Sequence, residues 1–233
     1  MPIQYNYILQ GLIYNSVRND IANFLHKEGF RNKNRIFKMF TYSRLMGDYT
    51  IDQRNKSIIF EGDISIIVSS PYVEFYNSLI SGLLLKDSIE LGKTKLRVIQ
   101  TTIEKEIVEC NEICIQTLSP IVVYSTVSKM DGKKYTCYFQ PGEPYFNTLI
   151  ESNLKNKYEA FYEKPAPEGK VTIKALNQPK LSIVKYKRII IKGYSGEYIL
   201  TGPKSLLQMA LDSGLGSKNS QGFGCIQIKK ESG

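Results

Sequence analysis

The sequence predicts an α+β fold made of two units of similar design. Each half of the chain alternates segments in which apolar residues recur at helical spacing with segments that alternate like strands. The first half reads helix, strand, strand, helix, strand, and the second half reads strand, helix, strand twice. The chain has 233 residues, of which 42% are hydrophobic. That length fits one large domain or two small ones, each with its own core.

The first half begins with a predicted helical segment at residues 5–27. Asn19 and Asp20 are expected to break this segment and to cap a second, shorter helix that ends at Gly29. Proline at position 71 favours the start of a later helix, because proline fits the first helical turn. The other elements predicted here are strands at 36–43, 57–60, 63–69 and 95–103 and the helix at 71–84.

The second half predicts a complete unit. Its expected elements are strands at 113–118 and 121–127, a hairpin strand at 133–139, a helix at 144–161, strands at 170–175, 183–193 and 197–201, a helix at 203–211 and a last strand at 222–228. Two strand-helix-strand units in succession form the ferredoxin-like (RRM-like) arrangement. We therefore expect two tandem ferredoxin-like domains, at residues 1–107 and 112–230, joined near residues 108–111.

One element is missing from the first domain. A complete unit needs a strand before its opening helix, yet only four residues precede Tyr5. Either residues 1–4 form a short stub or the chain begins inside the natural protein. The first domain is therefore expected to lack its first strand, and an uncovered sheet edge is an aggregation hazard.

The charge of the chain favours a polyanionic partner. Lysine and arginine total 31 against 22 acidic residues, for a net charge of +9, and phosphates neutralised by such residues release counterions. A merely basic protein is the alternative, and charge alone does not separate the two. Residues 180–189 are expected to have one basic face, with Lys180, Lys185, Lys187 and Arg188, and one buried face, with Leu181, Ile183, Val184 and Ile189. The basic residues crowd two stretches, which contain Lys27, Arg31, Lys33, Arg35 and Lys38, and Lys180, Lys185, Lys187, Arg188 and Lys192.

Several classes of protein are disfavoured. No apolar run is long enough to cross a bilayer, and the N-terminus lacks the regions of a signal peptide, so a soluble, cytoplasmic protein without a membrane partner is expected. The four cysteines form no CxxC pair, and one histidine cannot complete a zinc site with them. Glu104 and Glu106 lie far from the motifs below, so a two-metal nuclease has no support. We expect neither a metal nor a cofactor.

The strongest local signal is a glycine-rich segment at residues 214–224, with four glycines in eleven residues. Glycines allow positive φ angles and a close approach of the backbone to a ligand, and successive amides can form an anion-binding nest. The spacing of the glycines fits neither the dinucleotide fingerprint nor a Walker loop. The alternative to a phosphate-binding loop is an ordinary flexible turn. The residues expected to meet phosphate are Gly214, Gly216, Ser217, Lys218, Asn219, Ser220, Gly222 and Gly224.

His26 is the only histidine of the chain. A two-histidine acid/base pair is therefore excluded, and a lone histidine is more often structural than catalytic. It lies near a predicted helix C-terminus, which favours protonation, and among lysines, which oppose it.

Five segments carry a resemblance to a known family. They are YILQGLIYN at 7–15, FLH at 24–26, FKMFTYS at 37–43, LSPI at 118–121 and the glycine-rich segment. In their order along the chain and in their amino-acid sequences, these segments resemble the CRISPR repeat-processing endoribonucleases of the RAMP superfamily. The resemblance spans nearly the whole chain, and the glycine-rich segment is its most specific mark.

The resemblance implies two ferredoxin-like domains and a metal-independent cut of CRISPR precursor RNA that yields crRNA. The 2′-hydroxyl attacks the adjacent phosphate and leaves a 2′,3′-cyclic phosphate and a 5′-hydroxyl. The family's tyrosine, histidine and lysine match Tyr14, His26 and Lys38. His26 would act as general acid or base, Lys38 would stabilise the charged transition state, and Tyr14 would orient the reacting groups.

The expected partners are CRISPR repeat RNA, as precursor and as mature crRNA, and other proteins of a CRISPR effector complex. The chief alternative is a non-catalytic subunit of such a complex that binds repeat RNA. A general RRM-related module ranks lower because no RNP1-like pattern occurs. Outside the glycine-rich segment, the residues expected to bind RNA are Arg31, Lys33, Arg35, Lys187 and Arg188.

Overall fold

The structure is a computed structural model that describes residues 1–128, 132 and 134–229. Its first half opens with helices α1 (Asn6–Ser16) and α2 (Asn19–Asn23), followed by one π-helical turn (Phe24–Glu28). The break falls where the sequence predicts it, because Val17 is extended and Asp20 stands in the first turn of α2. Gly29 ends the turn with a φ of 62°.

The strands of the first half are shorter and more numerous than predicted. The predicted strand at 36–43 is interrupted at Met39, whose φ is 51°, and its first part belongs to a hairpin that starts at Phe30. The prediction of a strand at 95–103 was wrong, because pairing stops at Leu96. The elements are β1 (Phe30–Asn32), β2 (Arg35–Phe37), β3 (Thr41–Tyr42), β4 (Met46–Asp52), β5 (Ser57–Ser65), β6 (Val68–Ser69), α3 (Val73–Leu84), β7 (Ile89–Leu91) and β8 (Thr94–Leu96).

The second half follows its predicted order closely. The predicted hairpin forms between strands Tyr124–Ser128 and Lys134–Tyr138. Lys133, where its second strand was predicted to begin, lies outside the described residues. The predicted strand at 183–193 is instead a hairpin of two strands that turns at Lys187. The elements are β9 (Glu112–Thr117), β10 (Tyr124–Ser128), β11 (Lys134–Tyr138), α4 (Pro144–Tyr162), β12 (Thr172–Ala175), β13 (Lys180–Tyr186), β14 (Ile189–Ser195), β15 (Glu197–Thr201), α5 (Lys204–Ser213) and β16 (Ile226–Ile228).

A four-stranded antiparallel sheet organises the second half. Its strand order is β12-β15-β9-β16, which is the order of a ferredoxin-like unit when α4 and α5 make the two crossovers. Its core contains Phe146 and Ile150 of α4 and Leu206 and Leu207 of α5, all 0% exposed. The helices therefore cover the sheet and fix the segment that follows α5.

The first half has its own core. Leu9 and Ile13 of α1 pack with Phe40, Tyr42 and Phe75. The pairing of the described strands is confined here to two-stranded units, β1-β2, β3-β6, β4-β5 and β7-β8.

Residues 1–3 form a short stub beside the strand that starts at Ser57. The Ile58 amide donates to the Met1 carbonyl at 2.8 Å, and the Ile3 amide donates to the Lys56 carbonyl at 3.1 Å. A single antiparallel bridge joins Pro2 to Ser57. The stub thus lies beside the start of β5 without becoming a full strand.

No helix among the described residues has the length and apolar character needed to span a bilayer.

Candidate functional site

Tyr14, His26 and Lys38 lie together although they come from three different elements. The rings of Tyr14 and His26 meet edge to face, with centroids 6.2 Å apart. The Lys38 ammonium donates a hydrogen bond to the His26 backbone carbonyl at 3.0 Å. Tyr14 stands in the last turn of α1, His26 in the π-helical turn, and Lys38 directly after β2. The three side chains predicted from the family resemblance therefore form one cluster.

Gly29 allows this arrangement. Its amide donates to the Phe24 carbonyl at 2.7 Å and closes the π-helical turn. A Cβ atom there would lie 2.7 Å from the Phe37 carbonyl oxygen and 3.3 Å from Lys38 Nζ. With a positive φ as well, only glycine brings the end of the turn this close to β2.

Burial changes the proton affinity of two members of the cluster. It raises the pKa of Tyr14 to about 12, with a smaller contribution from Tyr186. Tyr14 therefore stays protonated at neutral pH and keeps a proton that it can donate in a hydrogen bond. Burial lowers the pKa of Lys38, and the positive charge of the neighbouring Arg31 lowers it further by a smaller amount. A phosphate near Lys38 would act in the opposite direction and favour its charged form.

The glycine-rich segment is tightly packed. Gly214, Gly216, Gly222 and Gly224 all have positive φ, between 68° and 84°, and all are buried. A Cβ at Gly224 would lie 2.0 Å from the Leu215 carbonyl oxygen, and one at Gly222 would lie 2.6 Å from the Tyr42 ring. The close approach that these glycines permit is thus to other parts of the protein.

The segment also joins the two halves of the chain. Asn6 and Gln10, one turn apart on α1, donate to the carbonyls of Gln221 at 2.9 Å and Ser220 at 2.6 Å. Thr41 of β3 donates to the Phe223 carbonyl at 2.9 Å. The face of α1 that carries these two amides continues one turn further to Tyr14. The glycine-rich segment therefore holds the helix that presents Tyr14.

Several amides of the segment are already used. The amide of Ser217 donates to the Val122 carbonyl at 2.8 Å, and that of Gly224 donates to the Pro120 carbonyl at 2.9 Å. The successive amides of Lys218, Asn219 and Ser220 have no hydrogen-bond partner among the described residues, so the anion-binding nest stays a prediction for this part of the segment. These amides and the polar side chains around them are what the segment can offer a ligand.

Lys157 was not singled out from the sequence. It lies on α4, is 2% exposed, and donates to the carbonyls of Ser213 at 3.3 Å and Gly214 at 2.6 Å and to Asn219 Oδ1 at 2.8 Å. Asn219 in turn donates to the carbonyls of Leu215 and Phe223. Burial lowers the pKa of Lys157 to about 7. The one available signal was a lysine at helical spacing within the apolar stripe of α4.

A cleft of about 490 Å³ is lined both by Lys38 and by residues of the glycine-rich segment. We call it the central cleft. Its lining includes the cations Arg35, Lys38 and Lys218, whereas Tyr14 and His26 do not line it. The Lys218 ammonium lies 5.0 Å above the centre of the Tyr124 ring, and burial lowers its pKa. The lining residues are 35–40, 123–126, Leu149, Asn153, Lys157, Ser213 and 216–220.

The predicted RNA-binding residues outside this segment lie on two exposed hairpin turns. Arg31, Lys33 and Arg35 belong to the β1-β2 hairpin and are exposed. Asn32 anchors that hairpin to α4 through hydrogen bonds to Asn156 and Glu159 at 3.1 and 2.6 Å. This places the basic hairpin beside the central cleft, to which it contributes Arg35.

Lys187 and Arg188 form the exposed turn between β13 and β14. Val184 is buried as predicted, but the prediction was wrong for Leu181, Ile183 and Ile189, which are 46–58% exposed. The inward face of the hairpin carries Tyr186 and Ile191 together with Val184. The Tyr186 hydroxyl donates to Gln10 Oε1, so this hairpin also contacts the α1 face that leads to Tyr14.

The cysteines differ in exposure. Cys110 is exposed, Cys114 and Cys137 are half-buried, Cys225 is buried, and all four are free thiols. Within the described ranges, no three His, Cys, Asp or Glu side chains are grouped as metal ligands.

Two family models match the chain. The model described as CRISPR-associated protein Cas6, N-terminal, matches residues 1–102, and the model described as CRISPR associated protein Cas6, C-terminal, matches residues 102–228. The chain is 27% identical over 226 residues to CRISPR-associated endoribonuclease Cas6 1 of Methanocaldococcus jannaschii, covering 97% of this chain and 86% of that protein. It is 29% identical over 240 residues to CRISPR-associated endoribonuclease Cas6 of Pyrococcus furiosus, covering 98% and 84%.

Solved structures share the fold. A Cas6-related protein of Pyrococcus furiosus superposes with a TM-score of 0.84 at 24% identity, covering 100% of this chain and 93% of that one. A RAMP protein described as binding different RNA substrates superposes with a TM-score of 0.81 at 20% identity, covering 99% and 93%. These likenesses confirm the predicted α+β fold class of tandem ferredoxin-like domains.

Proposed function

Because the chain belongs to the Cas6 family of CRISPR-associated proteins, we propose that it cuts CRISPR precursor RNA within the repeat to yield crRNA. The observation that carries this proposal is the position of Lys38. On one side it binds the His26 carbonyl, and on the other it lines the central cleft together with Lys218 and Ser217. A strand of RNA that lies in the cleft would therefore have its backbone beside the cluster of Tyr14, His26 and Lys38. The names of the two curated relatives, both endoribonucleases, support the same activity.

The reaction we propose is attack by the RNA's own 2′-hydroxyl, without a metal. The 2′-oxygen forms a bond to the adjacent phosphorus and loses its proton to a water molecule of the solvent, and the bond from phosphorus to the 5′-oxygen breaks. The products are a 2′,3′-cyclic phosphate and a 5′-hydroxyl. His26 protonates the departing 5′-oxygen, and the Lys38 ammonium offsets the extra negative charge on the pentavalent phosphorus. Tyr14, with its raised pKa, orients the phosphate as a hydrogen-bond donor.

We propose that the two domains divide this work. Residues 1–107 carry the catalytic cluster, and residues 112–230 carry the glycine-rich segment; residue 230 lies outside the described part of the chain. Exposed cations of both hairpin turns hold the RNA backbone, since such contacts position an RNA without reading its sequence. They are Arg31, Lys33, Arg35, Lys187 and Arg188.

Three elements of the proposal concern the setting of the reaction. The substrate is the repeat RNA, and the crRNA product shares the same surface. Other CRISPR effector proteins are proposed partners for the bound product. The cytoplasm is the proposed location, because precursor transcripts are made there.

The test is cleavage of repeat RNA in excess chelator. We expect the wild-type protein to release products that end in a 2′,3′-cyclic phosphate and a 5′-hydroxyl. His26→Ala should lose cleavage and keep binding, and Glu28→Ala, an exposed position in the same π-helical turn, should retain both. A 2′-deoxy nucleotide at the cut should also block cleavage. Parental cleavage by His26→Ala would reject the mechanism. Tight binding by the wild-type protein with no cut at all would instead indicate the non-catalytic subunit.

A further inference from the structure

Asn153, in the wall of the central cleft, carries a buried amide oxygen that has no partner among the described residues. The residue lies on α4 and is 8% exposed, and it lines the cleft. No described residue donates a hydrogen bond to its Oδ1 atom, which is buried. Leaving such an atom unpaired costs about 1–3 kcal/mol of folding free energy. A buried polar atom of this kind calls for an explanation, and a ligand that binds in the cleft is one.

The other asparagines of α4 that are inside the fold are paired. Asn147 accepts a hydrogen bond from the Ile173 amide at 2.6 Å. Asn156 donates a hydrogen bond to the Ser152 carbonyl and accepts one from the side-chain amide of Asn32. Lys157, one turn after Asn153, uses its ammonium to hold the glycine-rich segment. Among the asparagines of α4, Asn153 is therefore the exception, because it lines the cleft and its amide oxygen has no partner among the described residues.

The surroundings of Asn153 suit a nucleobase better than a phosphate. The cleft lining includes apolar side chains and the ring of Tyr124 besides the cations Lys38, Lys157 and Lys218. The unpaired amide oxygen needs a hydrogen-bond donor, which an ionised phosphate lacks, whereas an unstacked base offers an apolar face and a hydrogen-bonding edge. The volume of about 490 Å³ lies within the usual range for small-ligand sites, roughly 300–1,000 Å³.

We propose that the central cleft holds one unstacked nucleobase of the bound RNA and that Asn153 reads its edge. This inference rests on the proposed function, because that function makes RNA the ligand of the cleft. An asparagine amide has one acceptor and one donating group, and it pairs with a base edge that offers the complementary donor and acceptor side by side. The flanking phosphates of that nucleotide then reach Lys38 and Lys218, which also line the cleft. Asn153 is thus a specificity-determining residue, and it takes no part in bond cleavage.

The experiment is an abasic scan of the repeat RNA, made uncleavable by one 2′-deoxy nucleotide at the cut. Affinities are measured by fluorescence anisotropy for the wild-type protein, Asn153→Leu and Tyr198→Phe. Leucine has nearly the shape of asparagine, so Asn153→Leu removes the unpaired atom and should keep or raise the melting temperature. Tyr198 is the matched control, because its buried hydroxyl is also unpaired among the described residues but its side chain does not line the cleft.

We expect one abasic position to weaken wild-type binding by about tenfold, a typical effect of losing one stacked and hydrogen-bonded base. Asn153→Leu should weaken binding of the intact RNA by about the same factor, and the abasic change at that position should then have little further effect. Tyr198→Phe should behave like the wild-type protein. The inference is wrong if Asn153→Leu binds intact RNA with wild-type affinity. It is also wrong if every abasic position weakens binding by Asn153→Leu as much as it weakens binding by the wild type. A fall in melting temperature with a uniform loss of affinity would show a structural role and also overturn it. Failure of the wild-type protein to bind repeat RNA would instead reject the proposed function.

Discussion

The side-chain ammonium of Lys38 lies 3.0 Å from the backbone carbonyl oxygen of His26. The bond links the residue after β2 to the π-helical turn, twelve residues earlier in the chain. It holds the backbone of the only histidine at a fixed distance from a cation that lines the central cleft. Lys38 therefore has two roles in the proposed reaction, positioning His26 and stabilising charge on the phosphate.

Replacing Lys38 by methionine should slow cleavage by about 100-fold under single-turnover conditions, because one preorganised charge-stabilising donor is typically worth that much. RNA affinity should fall by only a few-fold, since a single phosphate contact is lost. Lys27→Met is the matched control, because Lys27 is exposed in the same turn and does not line the cleft. Equal rates for Lys38→Met and Lys27→Met would contradict the assigned role.

Replacing Tyr14 by phenylalanine should lower the cleavage rate by about tenfold at every pH between 6 and 9, the order expected for one lost hydrogen bond. Burial raises the pKa of Tyr14 to about 12, so the phenol does not lose its proton in this range. The shape of the pH-rate profile should therefore be the same for both proteins. A limb of the wild-type profile that disappears in Tyr14→Phe would show that the tyrosine transfers a proton.

Replacing Gly224 by alanine should destabilise the protein far more than replacing Gly62. Both glycines have positive φ, 74° and 78°, so both variants carry the same backbone strain, about 1–2 kcal/mol. A Cβ at Gly62 meets nothing within 4 Å, whereas one at Gly224 would lie 2.0 Å from the Leu215 carbonyl oxygen. Denaturant unfolding of both variants measures the difference, and we expect Gly224→Ala to lose several kcal/mol more. Equal losses would mean that the segment relaxes at little cost.

The sequence was a good guide to the second half of the fold. Helix α4 begins at Pro144, as predicted, because proline marks the first turn and the apolar stripe continues to its end. Strand β4 was missed because most of its residues are exposed, so it lacks the alternation of a half-buried strand. The turn at Lys187 was missed for a related reason: its positive φ is adopted without glycine or asparagine, the residues that usually signal it.

The site was predicted only as far as the family resemblance reached. That resemblance selected Tyr14, His26 and Lys38, whose proximity depends on the π-helical turn and on Gly29. Lys157 could not be found in this way, because its hydrogen-bond acceptors lie 56 or more residues further along the chain. A buried lysine becomes recognisable only when its partners are known.

The stability of the protein should depend on pH through Lys157. Burial lowers the pKa of this ammonium from 10.5 to about 7 in the folded state. Between these values the unfolded chain binds the proton and the folded chain does not, so the free energy of unfolding rises with pH, by up to about 1.4 kcal/mol per pH unit. Below pH 7 both states hold the proton, and this pH dependence vanishes.

Lys157→Met removes the titrating group and should remove this slope. The measurement is denaturant unfolding of the wild-type protein and the variant at intervals from pH 6 to 9. The difference in unfolding free energy between them should be flat below pH 7 and should shift in favour of the wild type above it. Lys155→Met is the matched control, because Lys155 lies on the same helix, is only half-buried and pairs with Glu151. Parallel curves for the wild type and Lys157→Met across the whole range would mean that the three acceptors around Lys157 keep it charged, and that burial does not decide its protonation.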